Sequence, residues 1–264
     1  MSANPADAAK KEKMVNFWSE RARLYETDPR ANTNDVWLRE VEIAYVNGIL
    51  DSQPFRNVLD FGCANGYTTS RLVKPHPEMR FLGVDINADM IEVAHTFPRT
   101  EGLDNLEFRV ADVLRGELTG PFDLIFTIRV FQNVESVEMQ KKIFDALHEL
   151  LAPNGSLLYV ESYADGYARL NADRVKMGLT PLPIHEHLTL LTDEFDDHVA
   201  ARMDVVRRDY LSSSYYQITR LLYSYIAKMN NEPIDYNHPI HQVASMLPQV
   251  GEYGVQKATL ARKR

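Results

Sequence analysis

Cysteine is almost missing from this sequence of 264 residues: Cys63 stands alone, so an internal disulfide is excluded and no thiolate cluster can hold a metal. A reducing compartment suits such a chain, and cytoplasmic localisation is the expectation. Long apolar runs are missing as well. No stretch of about 18 apolar residues occurs, so neither a membrane span nor a membrane partner is expected. Residues 1–13, rich in Ala, Asp and Lys, lack the apolar centre of a secretion signal and read as a frayed leader. Positive charge is in deficit, with 29 Lys and Arg against 37 Asp and Glu and a net charge of −8. That balance disfavours a nucleic-acid partner, because affinity for a phosphate backbone comes from clustered cations. Internal repeats and low-complexity tracts are absent.

What is present is ordinary globular material, 45% hydrophobic and 25% charged, long enough to bury the core of one large α/β domain. The middle of the chain alternates strand-like and helix-like segments, the pattern of a parallel sheet covered by helices. Residues 57–61, 80–84, 106–111, 122–128 and 156–160 read as strands, and residues 67–74, 88–95 and 138–151 as helices. Asn87 or Asp85 caps the helix at 88–95. Pro153-Asn154-Gly155 makes a turn.

Upstream, Asn34-Asp35 caps a helix over residues 36–50, on which Val41, Tyr45 and Ile49 share a face; Trp18 and Tyr25 lie on an earlier helix. After Glu161 the alternation stops. Residues 163–195, with Gly166, Gly178, Pro181 and Pro183, read as inserted helices and loops. Residues 202–210 read as a strand, 212–230 as a helix and 255–261 as a last edge strand. The expected organisation is a helical segment over residues 1–50 that closes the site, then a domain over residues 51–264 with cap insertions at about 163–200 and 212–250.

The first strand runs into Asp60-Phe61-Gly62-Cys63-Ala64-Asn65-Gly66, whose glycines let backbone approach a ligand at the carboxyl edge of a sheet, where open α/β sheets bind nucleotides. A pair of glycines says little alone. Its weight comes from Asp85 at the end of the second strand, Asp112 at the end of the third, and Arg129-Val130-Phe131-Gln132-Asn133 after the fourth.

From Val58 to about Glu161 the chain resembles the core of the class I S-adenosylmethionine-dependent methyltransferases of small-molecule type. Val58 to Gly66 is similar to their first motif, D-x-G-x-G-x-G, with Ala64 in the place of the middle glycine. Phe81-Leu82-Gly83-Val84-Asp85-Ile86 resembles the second motif, Val110-Ala111-Asp112-Val113 the third, and Leu150 to Leu157 the L-x-P-G-G turn. The resemblance implies a three-layer Rossmann-like α/β fold: a seven-stranded, mostly parallel sheet with an antiparallel last strand, plus a helical cap. It also implies S-adenosylmethionine as cofactor. Asp85, with Ile86 beside it, would accept both ribose hydroxyls. Asp112 and the Val113 N–H would take the adenine edge. Gly62, Cys63 and Gly66 would pass the methionine moiety, and Asp60 would hold the turn or meet the amino group. Arg39 would offer a bidentate fork to the methionine carboxylate. Tyr25 and Trp18 would cover the sulfonium or the substrate mouth, and Arg129 would stand at the cofactor's edge with Phe131, Gln132 and Asn133 facing the reaction.

The acceptor is less legible. Base-amine methyltransferases carry an Asn- or Asp-Pro-Pro-aromatic segment where this chain has Ile128-Arg129-Val130-Phe131, so a nucleobase is disfavoured. An N-terminal helical segment and an insertion after strand five instead suit a small-molecule acceptor, oxygen slightly ahead of nitrogen. An oxygen acceptor needs a base, and His185, His187 and Glu161 are the candidates, with Tyr163 beside them to hold substrate. His185 and His187, two apart, face the same way on an extended segment. Glu161 and Asp165 alone do not make a metal site, and none is expected. The Tyr-rich stretch from Tyr210 to Tyr225 lines the pocket, packs in the core or makes a homodimer contact. A cofactor-binding protein without turnover, and a nicotinamide-dependent dehydrogenase, stay open as alternatives.

Overall fold

The computed structural model describes residues 5–264, with side chains from Ala9 onward. Two helices lead in: α1 (Pro5–Tyr25) and α2 (Val36–Leu50), the second capped by Asp35, whose carboxylate accepts the Leu38 N–H. The expected frayed leader is therefore helical from Pro5; residues 1–4 lie outside the described residues. Then follow β1 (Asn57–Phe61), α3 (Tyr67–Val73), β2 (Arg80–Asp85), α4 (Ala88–Ala94), α5 (Thr96–Glu101), β3 (Leu106–Val110), β4 (Phe122–Ile128), α6 (Val137–Leu150) and β5 (Leu151–Ser162). Asn87, rather than Asp85, supplies the side-chain cap of α4 through the Met90 N–H. The turn at Pro153-Asn154-Gly155 is absorbed into the start of β5, with Asn154 in left-handed backbone at φ 62°.

The last third comprises α7 (Ala164–Lys176), α8 (Asp193–Ala200), β6 (Met203–Asp209), α9 (Ser213–Tyr216), a π-helical stretch (Gln217–Leu222), α10 (Tyr223–Met229), α11 (Pro239–Met246) and β7 (Gln256–Lys263). The sheet order is β3-β2-β1-β4-β5-β7-β6, with β7 antiparallel to both neighbours and the other pairings parallel. This is the expected seven-stranded α/β fold. One detail differs: β7 is interior and β6 is the edge. The edge strand is exposed through most of its length and bulges between Val205 and Arg207, which twists it away from pairing.

Alternate strand residues feed opposite layers of core. Val58, Leu124, Phe126, Leu158 and Val160 pack under α2, α3 and α11, while Leu59, Ile125, Leu157 and Tyr159 pack with Phe144 and Phe195 of α6 and α8. Strand order reverses between β1 and β4, so a crevice opens there at the carboxyl ends of the strands. No helix among the described residues is long and apolar enough to cross a membrane.

Candidate functional site

A cavity of about 730 Å³ occupies that crevice. Its floor is the carboxyl edge of β1, β2, β3 and β4; its roof is α1, with Lys11, Met14, Phe17, Trp18 and Arg21 facing inward, together with His185, His187, Tyr216 and Tyr236 from the segments after β5 and β6.

The glycine turn is tied down on both sides. The N–H groups of Gly62 and Cys63 both donate to the Val84 carbonyl, at 2.7 and 2.9 Å. Gly62 has φ 79°, and a Cβ there would sit 2.3 Å from Val130, so only glycine lets this turn and the loop after β4 close on each other. Ala64, where the motif usually has glycine, also adopts left-handed backbone, at φ 49°. Its N–H donates to Asp85 Oδ2 at 3.0 Å, and Asn87 N–H to Oδ1 at 2.8 Å. Each carboxylate oxygen keeps a lone pair for a further donor, and burial pushes the Asp85 carboxyl up against the pull of these N–H groups.

Asp112 lines the cavity, with Oδ1 accepting the Leu114 N–H at 3.0 Å and Oδ2 3.5 Å from Lys11 of α1. Ile86, Val113 and Cys63 line it too; burial raises the Cys63 thiol and keeps it inert. Asp60 reaches the wall, but its carboxylate accepts the Thr69 hydroxyl at 2.6 Å, so it holds the turn; burial raises it to about 7. Gly66 is not a lining residue: it starts α3, and a Cβ would strike Phe108 at 2.6 Å.

On the β4 side, Arg39 and Arg129 converge on one buried oxygen, Glu42 Oε2, at 3.3 and 3.2 Å. Burial lowers Arg39 to about 10, with Glu42 opposing. Arg129 is in left-handed backbone at φ 59°, unusual for a side chain of its size and a mark of functional loops. The loop that carries it is held from below by Glu161. This fully buried carboxylate accepts the N–H groups of Val130, Phe131 and Gln132 at 2.8, 3.1 and 3.1 Å, and the Thr127 hydroxyl at 3.2 Å.

Several expected roles change accordingly. Glu161 does not line the cavity, and its oxygens are occupied by four donors, so it positions the loop and is no base. Tyr163 is buried beneath β5, its hydroxyl donating to Asp196 at 2.7 Å, away from any substrate. Phe131 turns into the core against Phe195, 4.8 Å between centroids, leaving Gln132 and Asn133 on the wall. Tyr25 does not cover the cavity either: its ring lies 4.9 Å from the Arg21 guanidinium and supports that residue. Asp165 pairs with Lys257 at 3.1 Å and does not meet Glu161. Trp18 does line the cavity. His185 and His187 both face it and stack on each other, 5.6 Å apart. Burial, then the neighbouring charges of His185 and Lys10, lower the His187 imidazole, which favours its neutral form.

Other residues emerge only in three dimensions. Asn65 reaches back to the carbonyls of Glu26 and Asp28, and Asn87 to the Val15 carbonyl and Ser19 hydroxyl, so the glycine-turn side of the cavity is stitched to α1 and the turn that follows it. Arg220 enters the wall from the π-helical stretch, paired with Asp35 and stacked between Tyr216 and Tyr236 at about 5 Å.

Comparison with known proteins fits this geometry. A family model described as a methyltransferase domain matches residues 54–214. Among curated proteins, malonyl-[acyl-carrier protein] O-methyltransferase 2 of Ilyobacter polytropus is 30% identical over 122 residues, 46% of this chain and 45% of that protein. The trans-aconitate 2-methyltransferase of Deinococcus radiodurans is 30% identical over 112 residues, 42% of this chain and 40% of its own. The chain thus spans less than half the length of these relatives. Magnesium protoporphyrin IX methyltransferase from Synechocystis PCC 6803, solved with bound SAH, shares the fold over 96% of this chain and 100% of its own, with a TM-score of 0.64 at 13% identity.

Proposed function

The chain belongs to the methyltransferase domain family as a class I S-adenosylmethionine-dependent enzyme, and from that premise we propose that it methylates a small-molecule acceptor, on oxygen in preference to nitrogen. The observation that carries this reading is the single cavity that joins the carboxylates of Asp85 and Asp112 to a roof of helices and the two histidines. Its volume lies within the range of about 300–1,000 Å³ for small-molecule sites. The family match displaces the nicotinamide alternative.

The residues present fit the cofactor. Gly62 lines the cavity, Asp85 retains an acceptor lone pair on each oxygen for the ribose, and Arg39 has a buried Nε without an acceptor among the described residues. In this reading Asp85 holds the ribose, Asp112 and Val113 the adenine, and Arg39 the methionine carboxylate. When bound, S-adenosylmethionine supplies a methyl group activated by a sulfonium. The loop from Arg129 to Asn133, clamped by Glu161, aligns the acceptor for in-line attack, and α1 excludes water. Neutral His187, with His185 stacked on it, takes the proton of a hydroxyl acceptor. The relative from Ilyobacter polytropus is named as an O-methyltransferase, which supports oxygen.

The test is incubation of the protein with methyl-labelled S-adenosylmethionine and a metabolite extract. A labelled metabolite and stoichiometric S-adenosylhomocysteine are expected. Cofactor binding without labelled product from any extract identifies a binding protein without turnover and overturns the proposal.

A further inference from the structure

Four guanidiniums reach the cavity wall: Arg21 from α1, Arg39 from α2, Arg129 after β4 and Arg220 from the π-helical stretch. They act on one another. Burial, and beyond it the charge of Arg129, lowers both Arg21 and Arg39, and the charges of Arg220 and Arg129 both reach Tyr216. Their counter-charges do not match in number. Arg220 takes Asp35, while Arg39 and Arg129 share the single carboxylate of Glu42. Arg21 has only neutral partners among the described residues, the carbonyls of Arg30 and Ala31 and the Asn34 side chain. Of the other acids among the described residues that line the cavity, Asp85, Asp112 and Glu135 make no ion pair with these arginines, and burial raises Asp60 to about 7 against the pull of its Thr69 hydrogen bond, so it is only partly ionised near neutrality.

Positive charge without an acid of its own in a half-buried site is costly until an anion completes it. Two donors mark where it is incomplete: Nε of Arg39 and Nε of Arg129 are buried without an acceptor among the described residues. The cofactor does not close the account. Its methionine carboxylate brings one negative charge but comes with an ammonium and a sulfonium, so the complex is more positive than the protein alone. With Arg39 assigned to that carboxylate, Arg129 and Arg21 remain. Arg21 is fixed in place by the Tyr25 ring at 4.9 Å and the Ala31 carbonyl at 2.9 Å, on the helix that roofs the cavity.

We propose that the acceptor carries an organic oxyanion, a carboxylate or a phosphate ester, held between Arg129 and Arg21 while the methyl group passes from the sulfonium to its hydroxyl oxygen and the hydroxyl proton to His187. The inference rests on the methyl-transfer reading above and adds the chemical class of the acceptor. Arg129 offers its free Nε and Arg21 its Nη1, since Arg21 Nε and Nη2 already donate to Ala31, Arg30 and Asn34, and such charge-assisted donors suit the oxygens of either group.

The test fractionates a metabolite extract by anion exchange at neutral pH and incubates each fraction with the protein and methyl-labelled S-adenosylmethionine. Labelled product is expected from the retained fraction. Carbodiimide amidation of that fraction removes the acceptor if its charge is a carboxylate, and phosphatase removes it if it is a phosphate. With the purified acceptor, Arg21→Gln is expected to raise KM by about tenfold or more, the loss of one charge-assisted contact, while S-adenosylhomocysteine affinity stays within about twofold and reports an intact fold. Labelled product from the unretained fraction alone, or an unchanged KM in Arg21→Gln, overturns the oxyanion proposal and leaves methyl transfer standing. No labelled product from either fraction, with cofactor bound, overturns both.

Discussion

The Glu161 carboxylate, at the end of β5, accepts the Val130 backbone N–H at 2.8 Å and so clamps the loop that follows β4. With the N–H groups of Phe131 and Gln132 on the same carboxylate, the clamp holds three successive peptide groups next to Arg129, whose left-handed backbone needs such support. The reactive wall is therefore set by an acid that never touches it.

Replacement of this acid has two readouts. In Glu161→Gln an amide NH₂ faces one of the N–H donors, which is expected to cost about 1–3 kcal/mol of stability and to slow methyl transfer by about tenfold or more as the loop shifts. The pH dependence follows from burial, which raises Glu161 to about 7 against its four donors. An unfolded Glu titrates near ~4.3, so the folded state binds the extra proton between about pH 4 and 7, and the contribution of Glu161 to stability falls as pH rises through that window. Urea unfolding is expected to show a parent whose advantage over Glu161→Gln is larger near pH ~5 than near pH ~8. An advantage that grows with pH contradicts the assignment.

Much of the architecture is legible in the sequence because buried parallel strands are short and apolar, and because Asp85 ends β2 and Asp112 follows β3 by two residues. Where the reading stops has physical causes. Residues 255–261 read as a last edge strand, yet β7 is interior: Gln256 Nε2 donates to Glu42 at 2.6 Å and Lys257 pairs with Asp165. Helix α11 is only eight residues long and begins at Pro239, too short for a period to show. Arg220 resembles a solvent-facing residue at 3.6-residue periodicity; the π-helical stretch, which the pattern does not announce, rotates it inward. Tyr163, Phe131 and Glu161 read as site residues because they stand near strand ends, but strand alternation sends Tyr163 below the sheet and the turn after β4 sends Phe131 into the core.

The alanine within the glycine turn offers a stability test. Ala64 at φ 49° is in a region that costs an L-residue about 1–2 kcal/mol, offset by the greater chain entropy of glycine when unfolded and by packing of its side chain against the cluster of Ala22, Ala31 and Met90. Ala64→Gly is expected to stabilise the protein by about 1 kcal/mol or less in thermal unfolding. A destabilisation larger than about 1 kcal/mol shows that the packing under α1 dominates.

Arg39 is assigned to the methionine carboxylate, and the assignment predicts discrimination. The parent is expected to bind S-adenosylmethionine more tightly than its decarboxylated analogue by about tenfold or more. Arg39→Lys keeps the charge but loses the planar fork, and is expected to narrow that ratio at least about threefold. An unchanged ratio assigns the carboxylate to another group.

The central claim is that Asp85 holds the cofactor ribose in the cavity beside the glycine turn. Asp85→Asn keeps the side-chain shape and one of the two backbone contacts, to Ala64 or Asn87, but replaces a carboxylate oxygen with a donor. Calorimetric titration with S-adenosylmethionine measures the consequence most directly. The expected result is micromolar-range binding by the parent and a loss of about 10- to 100-fold in Asp85→Asn, the weight of one or two charge-assisted hydrogen bonds, with the unfolding transition retained. Equal affinity in the two proteins contradicts the account.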